Sequence, residues 1–372
     1  MGTHAKLNYI HIFRAIAIII IVAGHCFKSY QVMLDMFLKV ILKDGTVLFV
    51  FIAGFLFQYL SDNFLYKVYL KKKFFNVFSP YLFTSIIGIT IVFLYSEINP
   101  FIGVNKIVQI GMLLTTGYIH NVPTWYIPMT CIFFLFAAIL LKLEKKIVFN
   151  KYSLLFFLLS LLICLPCFVP RYGDSFFVTK GMSAWQAYAG YLQKIFFYTI
   201  LFFPIYILGM FFATSQQKYI KILYQKRFLL WGIFIFSGGI YFLLSYYNFL
   251  PGRLLLPKIV LTLLILGYLW HYDEKIMAYP CINNALGIIA DYSFAIFFLH
   301  YYFIMGFHQI FNWLFHWKSL YLSAENFHFG YWIIYTNITF IIVFFGSLFL
   351  AMVIKKLLEK LGVKHTRYFI GV

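Results

Sequence analysis

The sequence predicts an all-α, polytopic transmembrane helix bundle of about ten spans with both termini on the cytoplasmic side. Three observations predict it. Apolar residues make up 63% of the chain and charged residues 11%, whereas soluble domains carry roughly a quarter charged residues. Mean hydropathy is +0.87. Apolar runs recur along the whole chain, and a bilayer-spanning helix needs about 20 such residues. The 372 residues accommodate these runs with short connections, so 1–372 reads as a single transmembrane domain with no fused soluble domain.

The predicted spans cover 9–29, 46–61, 77–97, 124–143, 152–169, 192–213, 228–247, 256–271, 288–311 and 331–354. The segment 104–119 is shorter and more polar and reads as an interfacial helix leading into the Trp125 span. Segment 278–287 is a second candidate of that kind. The first run follows a mildly basic start, as in a signal peptide. However, it contains Arg14, ends at His25 and has no small-x-small cleavage pattern, so it is read as an uncleaved first helix.

Orientation follows from Lys and Arg in alternate loops. With the N-terminus inside, 19 fall in cytoplasmic loops and 9 outside, while Arg14 and Lys194 inside spans complete the 30. The net charge of +19 is thereby explained by topology and by attraction to anionic membrane lipid. No strand pattern or RNA-binding signature accompanies it, so nucleic acid is excluded as a partner. The five cysteines lie mostly in apolar runs, where Cys acts as a small hydrophobe. Cys164-Leu165-Pro166-Cys167 has redox spacing but no soluble α/β context. No metal site is predicted.

Ionisable side chains inside spans are costly and are functional candidates by default. Arg14 and His25 are 11 residues apart, a rise of about 16 Å and three turns plus about 20°. They therefore share one stripe of an Ile-rich helix, as expected for residues facing a lined cavity. Separately, each has a plainer reading: Arg14 snorkels to the interface, and His25 is a packing histidine. A neutral imidazole suits general-base chemistry, because it takes a proton from a hydroxyl and returns it near neutral pH.

Other segments carry paired readings as well. Gly54, within Phe49-Val50-Phe51-Ile52-Ala53-Gly54-Phe55-Leu56-Phe57, allows close helix packing. Lys71, Lys72 and Lys73 before Pro80-Tyr81 are either topology charges or a cytoplasmic seat for phosphates. Trp125 and Tyr126, in Pro123-Thr124-Trp125-Tyr126-Ile127-Pro128, are either an interfacial aromatic belt or part of a site. His300, ending Tyr292-Ser293-Phe294-Ala295-Ile296-Phe297-Phe298-Leu299-His300, is a second intramembrane histidine. Glu97 and Asp291 lie at span ends.

Taken in order, these segments resemble acyltransferase family 3, which includes membrane-bound O-acetyltransferases of bacterial surface polysaccharides. The family's first helix carries Arg, ten residues, then His, as Arg14 and His25 do here. Its Ser-Gly-Phe-Leu is similar to Ala53-Gly54-Phe55-Leu56, and its basic-then-Pro-Tyr entry to Lys71-Lys72-Lys73 with Pro80-Tyr81. Its Leu-Trp-Phe-Leu resembles Thr124-Trp125-Tyr126-Ile127, and its late Tyr-Leu-x-His pattern resembles the run ending at His300. Where the family has an Arg-x-x-Arg pair, this chain has Lys73-Phe74-Phe75-Asn76, and Lys lacks the planar fork of Arg.

The resemblance implies an acyl-coenzyme A donor, most commonly acetyl-CoA, entering from the cytoplasm. Arg14, Lys71, Lys72 and Lys73 would meet its phosphates. It implies His25 and Arg14 as catalytic residues, with His25 as general base on a sugar hydroxyl of an envelope polysaccharide or its lipid-linked precursor, and with Trp125, Tyr126 and His300 supporting the acceptor path. It also implies a multi-pass protein of the bacterial cytoplasmic membrane. A succinyltransferase of the same fold and a polysaccharide-unit transporter are the alternatives. A transporter predicts paired halves with broken helices, and no such symmetry is visible. Oligomeric state is not read from the sequence.

Overall fold

Long apolar runs place their backbone polar groups in intrahelical bonds, which is what a bilayer requires. The computed structural model describes residues 7–26, 33–62, 64–95, 99–119, 124–148, 165–179, 181–214, 216–247, 249, 252–315 and 329–372. These residues form an all-α bundle. Its helices are α1 (Asn8–Cys26), α2 (Met33–Leu42), α3 (Thr46–Tyr59), α4 (Tyr66–Lys73), α5 (Ser79–Leu94), α6 (Lys106–Thr116) and α7 (Tyr126–Val148). They continue as α8 (Ala184–Thr214), α9 (Gln216–Gln225), α10 (Arg227–Tyr246), α11 (Leu256–Met277), α12 (Pro280–Phe315), α13 (Phe329–Lys360) and α14 (Arg367–Ile370). One π-helical turn, Phe74–Phe78, joins α4 to α5.

Among the described residues, seven helices are long and apolar enough to cross a membrane. They are Asn8–Cys26, Leu38–Tyr59, Tyr66–Leu94, Ala184–Thr214, Arg227–Tyr246, Pro280–Phe307 and Ile333–Lys360. Each overlaps a predicted span. The predicted span 124–143 is α7, whose apolar part is the shorter stretch Tyr126–Lys142. The span 256–271 is α11, which carries Lys258 near its start and Asp273, Glu274 and Lys275 near its end. Most of 152–169, with Cys164, lies outside the described residues. Residues 278–287 differ from the expectation: from Pro280 onward they are the first turns of α12, so no separate interfacial helix forms there.

The interfacial segment is bounded by its own side chains. Asn105 caps α6 by accepting from the Ile107 amide at 2.9 Å. Gly117 ends the helix in the left-handed region at φ 64°, a conformation that costs other residues but not glycine. A Cβ at Gly117 would meet the Trp125 backbone at 2.7 Å, and Thr124 donates to the Gly117 carbonyl at 2.7 Å. The helix end thereby fixes where Trp125 stands. Tyr81 donates to the Leu114 carbonyl at 2.8 Å and ties α6 to α5.

Lipid gives helices no hydrophobic reason to associate, so small residues that permit close approach matter more than in water. Gly54 on α3 and Gly209 on α8 face each other's backbones. A Cβ on Gly54 would overlap the Tyr206 carbonyl oxygen, and one on Gly209 the Phe51 carbonyl oxygen. The packing reading of Gly54 accounts for this contact. Gly54→Ala is expected to cost about 1–3 kcal/mol of stability through overpacking. Thermal unfolding in detergent should show a lowered midpoint, and an unchanged midpoint would refute the tight crossing.

Candidate functional site

Helix α1 packs against α3, α11, α12 and α13 and carries one candidate at each end. Near its start, Arg14 donates through Nη2 to Ser293 Oγ on α12 at 3.1 Å. Lys73 is half-buried at the end of α4, its ammonium 4.6 Å from the Phe134 ring centroid and 5.3 Å from that of Tyr69. Lys71 and Lys72 are exposed on the same short helix. Lys73 therefore turns into the protein while its neighbours turn out.

A third cation joins this end from the far end of the chain. Helix α14 docks beside the π-helical turn: Ser79 donates to the Tyr368 carbonyl at 2.6 Å, and the Phe75 and Tyr368 rings lie 4.8 Å apart. Gly371 rests against Phe294, next to Ser293. Arg367, on α14, is thereby carried to the end of the bundle that holds Arg14 and Lys73. Arg367 had counted only as a topology charge in the sequence, and no motif marks it.

The other end of α1 holds His25. His25 is exposed and borders a partly open cavity. That cavity, of about 140 Å³, is lined by Ile21, Gly24 and His25 of α1, the segment Leu42–Thr46, Trp125, Arg171 and Arg253. Arg14 is not among its walls, and Ala17, Ile18 and Ile21 between the two ends are buried. Gly24 lets the α2–α3 turn approach, because a Cβ there would overlap the Leu42 carbonyl oxygen.

His300 on α12 reaches the same place. The His25 and His300 ring centroids lie 5.2 Å apart, and the Tyr301 ring is 5.9 Å from His25. His300 Nδ1 is 3.0 Å from the Ile296 carbonyl oxygen. A carbonyl only accepts, so Nδ1 carries the proton and Nε2 is the acceptor nitrogen. That Nε2 is buried and has no hydrogen-bond partner among the described residues.

Trp125 lines the cavity and stacks with the Arg171 guanidinium, 4.7 Å from its ring centroid. Tyr126 is one layer back, against Phe297 at 5.6 Å. The structure thus brings His25, Trp125 and His300 together and leaves Arg14 with Lys73 at the opposite end. Asp291 is 3.4 Å from His11 rather than near His25, and Glu97 lies outside the described residues.

The carboxylate at the His25 cavity is Asp44, which sequence reasoning did not select. It sits in the turn after α2 at φ 58°, a left-handed conformation that Asp tolerates better than most residues. Arg171 Nη1 and Arg253 Nε both donate to it, the latter at 3.0 Å. The two arginines are paired by their backbones: the Arg171 amide donates to the Arg253 carbonyl at 2.8 Å, and the Arg253 amide donates to the Arg171 carbonyl at 3.1 Å. Burial opposes the charge on Arg171, and the Tyr198 hydroxyl and Asp44 outweigh it and hold the guanidinium above its ordinary range. Lys43 donates to the Gly24 carbonyl at the end of α1, and Lys258 to the Ile41 carbonyl at the end of α2, the favourable end for a cation.

A family model described as an acyltransferase domain matches residues 7–356. No curated protein and no solved structure matches the chain.

Proposed function

Because the chain belongs to acyltransferase family 3, and acyl transfer is its general activity, we propose that it moves an acetyl group from acetyl-CoA to a sugar hydroxyl of a cell-envelope glycan or its lipid-linked precursor. The observation that carries this reading is the pairing of His25 with His300 on a cavity at one end of α1, with Arg14 near the other end, where the helix that carries Arg367 docks beside the turn after Lys73. The charge bias of the loops supports placing the Arg14 end on the cytoplasmic side of a bacterial inner membrane. Coenzyme A carries phosphates, and the cationic end suits them. The two ends are about 16 Å apart along α1, a span suited to a thin pantetheine arm.

In the reaction, His25 takes the proton from the acceptor hydroxyl. The oxygen attacks the thioester carbonyl carbon, a C–O bond forms, and the C–S bond breaks. The coenzyme A thiolate leaves with the electron pair and is protonated by His25. His300 is a positioning residue: its free Nε2 can accept from the N–H of His25 and leave the opposite nitrogen as base.

Transfer of labelled acetyl from acetyl-CoA to an isolated envelope glycan by the purified protein tests the proposal. No transfer, together with no thermal stabilisation by acetyl-CoA, would favour a transporter instead. Preference for succinyl-CoA would move the donor within the same fold. Arg367→Ala is expected to raise the KM for acetyl-CoA by about tenfold or more, given the ~1.5–3 kcal/mol of a hydrogen bond to a charged group, with kcat little changed. An unchanged KM would remove Arg367 from the donor end.

A further inference from the structure

Among the described residues, the arginines that line the His25 cavity outnumber its one carboxylate. Four cations gather there: Lys43, Arg171, Arg253 and Lys258. Three of them line the cavity, and Asp44 is the single carboxylate among the described residues that do. The carbonyl ends of α1 and α2, which Lys43 and Lys258 meet, each contribute at most about half a negative charge. With each lysine set against its own carbonyl end, Arg171 and Arg253 still share the single charge of Asp44, so among the described residues an excess of about one positive charge remains. Asp174, the other described carboxylate in these connecting segments, is held by Lys194. Gathering cations in a partly buried pocket is unfavourable unless an anion completes it. An arginine pair is the donor set that suits a planar or tetrahedral oxyanion.

We propose that this pocket binds an oxyanion of the acyl acceptor, a phosphate ester or a sugar carboxylate, and so holds the hydroxyl to be acylated beside His25. The inference rests on the acyltransferase reading for its orientation of acceptor and donor. It narrows the acceptor class from any envelope sugar to an anionic one. Arg253 is the most available donor, since its side chain is 38% exposed while that of Arg171 is 11% exposed. Trp125, stacked on Arg171, offers a flat apolar wall for the sugar ring beside the charge.

The test uses the full-length protein in neutral detergent. Acetyl transfer is measured to three acceptors built on one sugar: neutral, carboxylated and phosphorylated. The expected result is a kcat/KM at least tenfold higher for one or both charged acceptors, and the two charged arms show which oxyanion is used. In Arg253→Gln the charged-to-neutral ratio is expected to fall toward one. If that variant does not fold, Lys43→Gln is expected to lower the same ratio.

A neutral acceptor used as well as the charged ones would overturn the proposal and leave the acyltransferase reading intact. A second measurement does not depend on turnover. Inorganic phosphate, compared with chloride at equal ionic strength, is expected to raise the thermal midpoint of wild type and less so of Arg253→Gln. An equal effect on both proteins would count against the pocket. Loss of that phosphate effect on adding coenzyme A alone would assign the pocket to the donor and also overturn the proposal. Absence of transfer to all three acceptors, with phosphate stabilisation retained, would overturn the acyltransferase reading instead.

Discussion

His25→Ala is expected to lower acetyl transfer by about 10²–10⁴-fold, the usual contribution of a positioned general base. His25 borders the cavity and has a second imidazole 5.2 Å away, centroid to centroid. Thermal stabilisation by acetyl-CoA should survive the substitution, because the proposed donor charges lie at the other end of α1. A variant that retained activity within about twofold of wild type would sink the assignment. His300 supplies the companion measurement. Its Nδ1 is committed to the Ile296 carbonyl, so what it offers His25 is an acceptor. His300→Gln keeps an acceptor oxygen and is expected to retain more activity than His300→Leu. Equal loss in the two would mean that His300 serves packing alone. A shift in the pH–rate profile of His300→Gln, with the fold unchanged, would separate positioning from structure.

Asp44→Ala is expected to be the most destabilising substitution in the chain, by about 3–5 kcal/mol. Asp44 is 6% exposed and accepts from two arginines that belong to different segments. Truncation leaves both guanidiniums beside the cavity with no carboxylate between them, and an unpaired buried charge costs more than a missing contact. The turn after α2, the segment ending at Arg171 and the loop before α11 would lose their common fastening. Asp44→Asn should cost less, since Asn keeps an acceptor oxygen and also tolerates the left-handed backbone. Thermal or chemical unfolding in detergent reads both. Equal, small effects of Ala and Asn would mean that the arginines find other partners.

The comparison with the sequence turns on which residues are related locally. Arg14 and His25 were legible because eleven residues along one helix fix both a distance and a face, whatever packs around them. The segment 104–119 was legible as a separate helix from its shorter, more polar run, and the structure bounds it with Asn105 and Gly117. The plain packing role of Gly54 is supported by its contact with α8. Of the nine charges assigned to outside loops, Arg171, Arg253 and Lys258 act on Asp44, and Lys43 lines the same cavity. Their presence on the side where basic residues are depleted was the available signal, and it was read only as a minority in a count. Arg367 carried no signal, because a cation near a terminus on the basic side is what topology alone predicts.

The sequence by itself determined the class of solvent, the helical backbone, the family and the spacing of two ionisable groups on α1. Hydropathy and helix geometry are properties of contiguous residues, and they survive in a linear reading. The tertiary structure decided that His300 meets His25, that Arg367 reaches the Arg14 end, and that Asp44 gathers cations from separate segments. Those pairings depend on which helix lies beside which. That choice rests on small-residue crossings such as Gly54 with Gly209 and on buried polar contacts between distant segments, rather than on apolarity, which nearly every helix here shares.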